Sequence, residues 1–567
     1  MKTIFPLALL LILQSCSSDP ISNNEQQVIE DDPERVTELV KEYLSTHVSK
    51  FSDNGTVPLD GDTITTPGLI KAFYSNRGYE PVWTKAGKLT PAGDSMRSIL
   101  LNAENWGLIP SDYHAALIDS LSRMALDAKT EDYNVNKLSH SELLLSDAFF
   151  NFAVHVSVGR MENDSAETRV WRADVLDTNL AAVLESALKQ KSSGATFAAL
   201  EPQMAEYKAL RAFIPGFRRE FEKTQWEVLP KIEDDTIAFR KALVTRLISG
   251  HDLDTARSGT DSLAVAEALK SFQIRVGLEP DGKAGRNTVR ALNVTYPERI
   301  RQMAATLERW RIEPKREDRY VWVNIPEFRM HVMDGDSMIM ESRVVVGAPK
   351  TQTPALDSRI NQMILFPYWH VPYSIAGKEI LPHAKRDSTY LRRNRYEVID
   401  RSGNIVDPNS VDWKKYGERN LPYKFRQKTG DDNALGILKF NFNNKHGVYM
   451  HDTNSKGYFN RETRALSHGC MRLENYMQLA YYLIREDSVK MPRDTFDIYM
   501  KSGRQRTMPV RKPIPIHVRY FTCVPNSEGD IILFNDIYDR DKRMISTLYR
   551  EQKAVSPKKK TAAKAKA

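Results

Sequence analysis

Cysteine is nearly absent, with three residues in 567, Cys16, Cys470 and Cys523. That excludes a disulfide framework as the main source of stability, because a bridged scaffold needs several pairs. A long apolar run is also missing. The opening run, Ile4 to Leu13, has ten residues, about half of what a helix needs to span a bilayer. The formal charge of +8 suggests a basic protein, but the C-terminal stretch KAVSPKKKTAAKAKA holds six lysines and no acid. Without it about +2 remains, so the body is nearly neutral and the tail reads as a solvated extension. No nucleic-acid module accompanies it, and no nucleic-acid partner is expected.

What is present begins with an export signal over residues 1–16: Lys2, the apolar run, then small and polar residues around Cys16. The run LQSC resembles a bacterial lipobox, which implies that Cys16 is lipidated and anchors the chain to a membrane. The alternative is an ordinary cleaved signal in which Cys16 is lost. An exported chain can form disulfides, so a Cys470–Cys523 bridge is open in principle. It would consume a thiol with a far richer chemical neighbourhood than that of Cys523, and no bridge is expected.

A chain of this length exceeds one hydrophobic core. The pattern predicts a multidomain α+β protein. Residues 17–62 are polar and acidic with one short helical pattern, as in a tether. Residues 63–233 carry apolar side chains at spacings of three and four and form a helical domain. Residues 234–296 give a compact three-helix pattern. Residues 297–502 start with a helix and become mostly β, and 503–567 form a C-terminal extension with the Lys-rich tail. RYVWVNIPEFRMHVMDGDSMIMESRVVVG reads as a hairpin turning at Asp334-Gly335-Asp336. Within the β region, 374–433 is too long for an ordinary connection and is predicted to be an inserted lid subdomain.

The segment AVAEALKSFQIRVGLEPDGKAGRNTVRALN resembles a small peptidoglycan-binding domain. The pattern lies at Phe272, Gln273, Gly277, Leu278, Asp281, Gly282, Gly285 and Thr288. Binding to the wall and acting only as a spacer are both open to such a module.

The stretch SHGCMRLEN surrounds Cys470. A cysteine becomes a useful nucleophile where an imidazolium, an arginine or a helix N-terminus stabilises its thiolate. His468 and Arg472 lie two residues to either side, and the helical pattern LENYMQLAYYLIRE is expected to begin almost at once and aim its free amides at the sulfur. The amides of Gly469 and Cys470 are candidates for an oxyanion hole. A base on a neighbouring strand faces a thiol more easily than one in the same turn, and GVYMHDTN supplies His451.

HDT, a gap, then SHGCMR resembles the L,D-transpeptidase signature, in which the first histidine and the cysteine carry the chemistry. The resemblance implies His451 as general base and Cys470 as nucleophile, with Ser467, His468, Gly469 and Arg472 in support. Asp452 stands where many members have glycine, which suits a long-chain branch with a helical domain, a wall-binding module and a lid. VGAPKTQTPAL, FPYWHVPYSIAGKEILP and NALGILKFNF extend the likeness.

The reaction implied by this resemblance is 3-3 cross-linking of peptidoglycan stems through a thioester on Cys470, in the periplasm of the cell envelope. The resemblance also implies a monomer without a cofactor or metal, and a thiolate that opens carbapenems. Tyr368, Trp369, Tyr449 and Asn433 are candidate substrate contacts. Lys378, Arg392, Arg393 and Arg395 in the lid are candidates for stem carboxylates, although a solvated charged face also accounts for them. Three alternatives compete: water as acceptor, giving a carboxypeptidase; a zinc hydrolase using His446, His451, His468 and Cys470; and a non-catalytic wall-anchoring lipoprotein.

Overall fold

Strand alternation sets the architecture of the C-terminal half. In LKFNF, Leu438, Phe440 and Phe442 are buried while Lys439 and Asn441 face the other way, as a period of two requires. The computed structural model describes residues 27–549, except 60, 127–131, 162–178, 234, 256–261, 486–488 and 490. The export signal with Cys16 and the Lys-rich tail lie outside the described residues. No described helix is long and apolar enough to cross a membrane.

Nine strands build the sheet of the C-terminal half: β1 Arg319–Asn324, β2 Arg329–Asp334, β3 Ser337–Gly347, β4 Leu356–Leu365, β5 Leu438–Phe442, β6 Met450–His451, β7 Ala465–Ser467, β8 Met471–Leu473 and β9 Arg506–Arg519. Their order is β7-β3-β8-β6-β5-β4-β9-β1-β2, and a further β2–β3 pairing closes the sheet on itself. β6 and β8 run parallel, with Met450 opposite Met471 and His451 opposite Arg472. The core inside includes Val321, Met330, Val344, Phe440, Met450, Met471 and Val518. Each such side chain contributes about 1.5–3 kcal/mol when fully buried.

Two expected boundaries move, and one expected hairpin becomes two. β9 lies between β4 and β1, so the boundary at residue 502 falls inside the sheet and much of 503–549 completes the domain. The helix Pro33–Val48 buries Val36, Val40, Leu44 and Val48 in the core of the helical domain, so residues 17–62 are not all tether. The expected single hairpin is two, because Pro326 to Phe328 makes a second turn in which Phe328 has φ 57. The multidomain α+β class itself is what the structure has.

In the helical domain, the helix Val135–Val158 is buried on nearly every side. The three-helix module comprises Thr236–Ser249, Ser262–Arg275 and Arg286–Leu292. Gln273 organises its turn, donating to Asp281 Oδ1 at 2.8 Å and accepting from the Gly282 amide at 2.9 Å. The insert between β4 and β5 has its own four-stranded sheet and its own core around Ile380, Leu391, Val398, Trp413 and Phe425, which is the signature of a subdomain rather than a loop.

Candidate active site

The turn Ser467 to Cys470 joins β7 to β8. Gly469 has φ +115, a left-handed conformation that disfavours any side chain. The Ser467 hydroxyl bridges the turn, donating to the Cys470 carbonyl at 2.6 Å and accepting from the Gly469 amide at 3.1 Å. Behind it, the segment 348–353 holds the turn in place. The Ala348 amide and Thr351 Oγ1 donate to the Ser467 carbonyl at 2.8 and 2.9 Å, and Thr353 Oγ1 donates to the Gly469 carbonyl at 2.8 Å. The C-terminal segment forms a further layer: Tyr538 Oη donates to the Gly347 carbonyl at 2.5 Å, and Arg540 donates to the Thr353 carbonyl at 2.9 Å.

Several expectations for this turn change. Cys470 is followed by β8, and the next helix, Tyr476–Ile484, starts six residues on, so no helix begins directly at the sulfur. The strand forms because Met471 and Leu473 are buried with Arg472 between them. The Gly469 amide is already held by Ser467, which removes it from the expected oxyanion pair. His468 is exposed and its Nε2 meets Glu379 Oε1 of the insert at 2.5 Å. It therefore ties the turn to the lid.

His451 is 4% exposed and its Nδ1 bonds to the main-chain oxygen of Asp452. A carbonyl can only accept, so Nδ1 carries the proton and Nε2 the lone pair. Burial first, and then the Arg472 charge, push His451 down to about 3, with Lys439 adding to the effect. The imidazole is neutral at ordinary pH. Asp452 fixes this strand end: its Oδ2 accepts from the Ile437 amide at 3.0 Å, and its carboxylate pairs with Lys456. Gly436 leaves no room there for a side chain.

Cys470 and Cys523 are both free thiols, so no bridge joins them. Burial raises the Cys470 pKa above its usual value, against the opposing pull of Tyr449 hydrogen bonds and the Lys439 and Arg472 charges. The resting group is a thiol, and the imidazole on the adjoining strand β6 is neutral, so the preformed thiolate that the local sequence suggested is not what the site holds. Burial first, and then the Cys470 thiol, hold the Tyr449 phenol pKa well above its usual value, with Trp369 of the insert acting in the opposite sense. Arg472 rests against the Tyr458 ring at 5.2 Å.

Of the candidate substrate contacts, Tyr449 precedes β6 and its carbonyl accepts from the Met471 amide at 3.0 Å, while Trp369 lies in the insert with its ring 6.4 Å from that of Tyr396. Tyr368 stacks under Arg426 at 4.8 Å. Asn433 is 1% exposed, and its Nδ2 donates to the carbonyls of Pro367 and Lys428 while its Oδ1 accepts from the Leu435 amide. Its polar atoms are occupied at the base of the lid, which corrects its expected role. Among the lid cations, Arg393 pairs with Asp387 and Lys378 faces Glu418. An amide-rich groove of about 620 Å³ adjoins the site, lined by Gln362, Asn441, Asn444 and Tyr449 among others. A cleft of about 680 Å³ behind the sheet, reaching Gly277 and Leu278 of the three-helix module, contains none of the signature residues. The zinc ligand set does not converge: His446 is exposed on a turn, and no group of three or more His, Cys, Asp or Glu side chains among the described residues is arranged for a metal.

Family comparisons bear on this arrangement. Residues 318–491 match the family model described as the L,D-transpeptidase catalytic domain. They form an L,D-transpeptidase catalytic domain. Residues 239–292 match "Putative peptidoglycan binding domain" and residues 68–213 match "Scaffold domain". A curated protein of Haemophilus influenzae named "Putative L,D-transpeptidase" is 34% identical over 265 residues, which is 46% of this chain and 53% of that one. The chain thus spans about half the length of the curated relative it matches. A solved L,D-transpeptidase from Stackebrandtia nassauensis aligns with 50% of this chain and 90% of its own, at 15% identity and a TM-score of 0.19.

The transpeptidase domain also contains positions that sequence reasoning passed over: Lys439, Thr351, Thr353 and Glu379, with Tyr538 and Arg540 beyond the matched segment. Thr351 and Thr353 lie within VGAPKTQTPAL, where hydroxyls beside Gly and Pro signal side chains that bond main chain. Lys439 is a lone cation between apolar positions of an alternating strand. Nothing local marks Tyr538 or Arg540.

Proposed function

We propose that the chain is a cysteine acyltransferase that joins peptidoglycan stems by 3-3 cross-links, working in the periplasm and held to a membrane through Cys16. The observation that supports this reading is the pairing of β6 with β8, in which a neutral, tautomer-fixed His451 stands opposite Arg472, two residues after Cys470.

The reaction follows from that pair. Cys470 Sγ attacks the carbonyl of the third stem residue while its proton passes to His451 Nε2. His451 then protonates the nitrogen of the departing D-alanine, the C–N bond breaks, and a thioester remains. The side-chain amine of a neighbouring stem attacks the thioester and gives its proton to His451. The new amide forms as the thiol leaves and recovers that proton. Because the Gly469 amide is held by Ser467, the Cys470 amide and the Tyr449 hydroxyl are the donors assigned to the developing oxyanion. Keeping water from the thioester falls to the lid, which meets the site at Trp369 and Glu379.

Incubation with purified tetrapeptide muropeptides tests this. The unaltered chain should show a thioester adduct by intact mass and release 3-3 dimers, and Cys470→Ala should show neither. Dimers formed by Cys470→Ala would remove the nucleophile assignment. Tripeptide without dimers would make the protein a carboxypeptidase.

A further inference from the structure

Lys439 is the cation that the acyl-transfer steps leave without a task. It sits on β5 between buried Leu438 and Phe440, so its side chain lies on the face opposite the core. In the register of β5, β6 and β8 it stands opposite His451, which stands opposite Arg472. A row of cation, imidazole and cation therefore crosses three adjacent strands beside the nucleophile. Lys439 Nζ lies 3.8 Å from the centroid of the Tyr449 ring, and the Tyr449 carbonyl accepts at 3.0 Å from the amide of Met471, the residue after the nucleophile.

Among the described residues, no carboxylate pairs with Lys439 or with Arg472, and Arg472 Nε is buried without a hydrogen-bond partner. Neighbouring cations behave differently: Lys456 pairs with Asp452, and Arg426 with Glu397 at 2.6 Å. A half-buried ammonium held only by a ring face keeps much of its desolvation cost. An anion that arrives with the substrate would remove that cost. In the proposed reaction such an anion has a fixed place, because the departing D-amino acid carries its carboxylate one carbon from the nitrogen of the scissile amide.

We propose that Lys439 is a specificity-determining residue whose ammonium binds the free α-carboxylate of the D-amino acid released on acylation. This rests on the acyl-transfer reading above. A compact ammonium on a flexible stem suits a single carboxylate oxygen. The contact selects stems that end one residue after the attacked carbonyl, and disfavours stems that are longer or amidated at that end.

The test uses the full chain, with Lys439→Met and Lys439→Arg, and two donors: a tetrapeptide stem with a free C-terminal carboxylate and the same stem as its carboxamide. Thioester formation is followed by intact mass, and release of D-alanine or D-alaninamide is quantified. The unaltered chain should prefer the free acid by roughly 10- to 100-fold in kcat/KM, the range of one charge-assisted hydrogen bond. Lys439→Met should bring the free acid down to the level of the carboxamide, and Lys439→Arg should restore part of the preference. The Lys439 charge also favours the thiolate, so iodoacetamide alkylation of Cys470 should fall in Lys439→Met, but by clearly less than acylation by the free acid. Equal loss on both donors, or a fall in alkylation as large as the fall in acylation, would assign Lys439 to the sulfur and overturn the inference alone. Failure of the unaltered chain to acylate with either donor would overturn the acyl-transfer reading, and this inference with it.

Discussion

Two buried histidines, one in each half of the molecule, are driven in opposite directions. His114 lies in the helical domain at φ 56, with Nδ1 2.7 Å from Asp62 Oδ2 and Nε2 2.9 Å from Asp147 Oδ2. Burial alone would lower its pKa, but hydrogen bonds to Asp147 and then Asp62 overrule it and raise the group to about 9. His451 is equally buried, yet its charged neighbours are Arg472 and Lys439, and it falls to about 3. Burial is common to both, so the sign of the flanking charges decides the outcome. One imidazole is a cation at neutral pH that clamps Asp62 to the long helix carrying Asp147. The other is a neutral base with a free lone pair.

The largest effect expected from breaking this contrast lies in catalysis. His451→Gln should slow carbapenem or stem acylation by roughly 10²- to 10⁴-fold, while the unfolding midpoint moves little. Acylation by the unaltered chain should also lack a limb near pH 6.5, because His451 stays neutral down to about pH 3. Rates from intact-mass time courses between pH 5 and 9 check both. A loss of activity on protonation near pH 6.5 would mean that a different, solvated histidine is the base.

The counterpart effect is on stability. His114 has a raised folded pKa, so its contribution is fully present below the unfolded value of 6.5 and is lost as pH rises through about 9. Between pH 7 and pH 10 the loss is on the order of 2–3 kcal/mol. Urea unfolding of the helical domain at pH 7 and pH 10 should show that difference, and His114→Gln should lose a similar amount at pH 7 and flatten the dependence. Activity per folded molecule should stay the same, since His114 touches nothing in the transpeptidase domain. A pH dependence that survives in His114→Gln would place it on another group.

The same contrast explains what was legible in the sequence. His451 and Cys470 belong to a two-part signature, and HDT with SHGCMR marks them without knowledge of the fold. The three-helix module was readable because its glycines and Gln273 lie within one short segment. Charge state was not readable, because the cations around His451 come from strands separated in sequence: Arg472 by β6–β8 pairing and Lys439 by β5–β6 pairing. The place of β9 was hidden for another reason. It carries Pro509, Pro513 and Pro515, residues that usually argue against an interior strand. The register shifts between Ile360 and Gln362 and leaves Val510 to Pro513 out of the ladder, which accommodates Pro513, while Pro509 and Pro515 stand opposite Gln362 and Arg359. The helix expected at Cys470 starts later because LENYMQLAYYLIRE is helical only from Tyr476, and the apolar alternation Met471-Arg472-Leu473 is too short to stand out from that pattern.

A third histidine gives the smallest effect and sharpens the comparison furthest. His468 is nearest to Cys470 in sequence, but its ring is about half exposed and meets Glu379 of the lid, itself about half exposed. Exposed ion pairs are weak and screened by salt. His468→Ala and Glu379→Gln should therefore each reduce acylation by no more than about fivefold. The double variant should be no worse than either single one, because both remove the same contact, and added salt should narrow the gap to the unaltered chain. Alkylation of Cys470 by iodoacetamide should be unaffected in both. A hundredfold loss confined to His468→Ala, unmatched by Glu379→Gln, would mean that the ring leaves the lid to serve the sulfur during turnover. The base would then lie in the same turn as the nucleophile rather than across the β6–β8 pair.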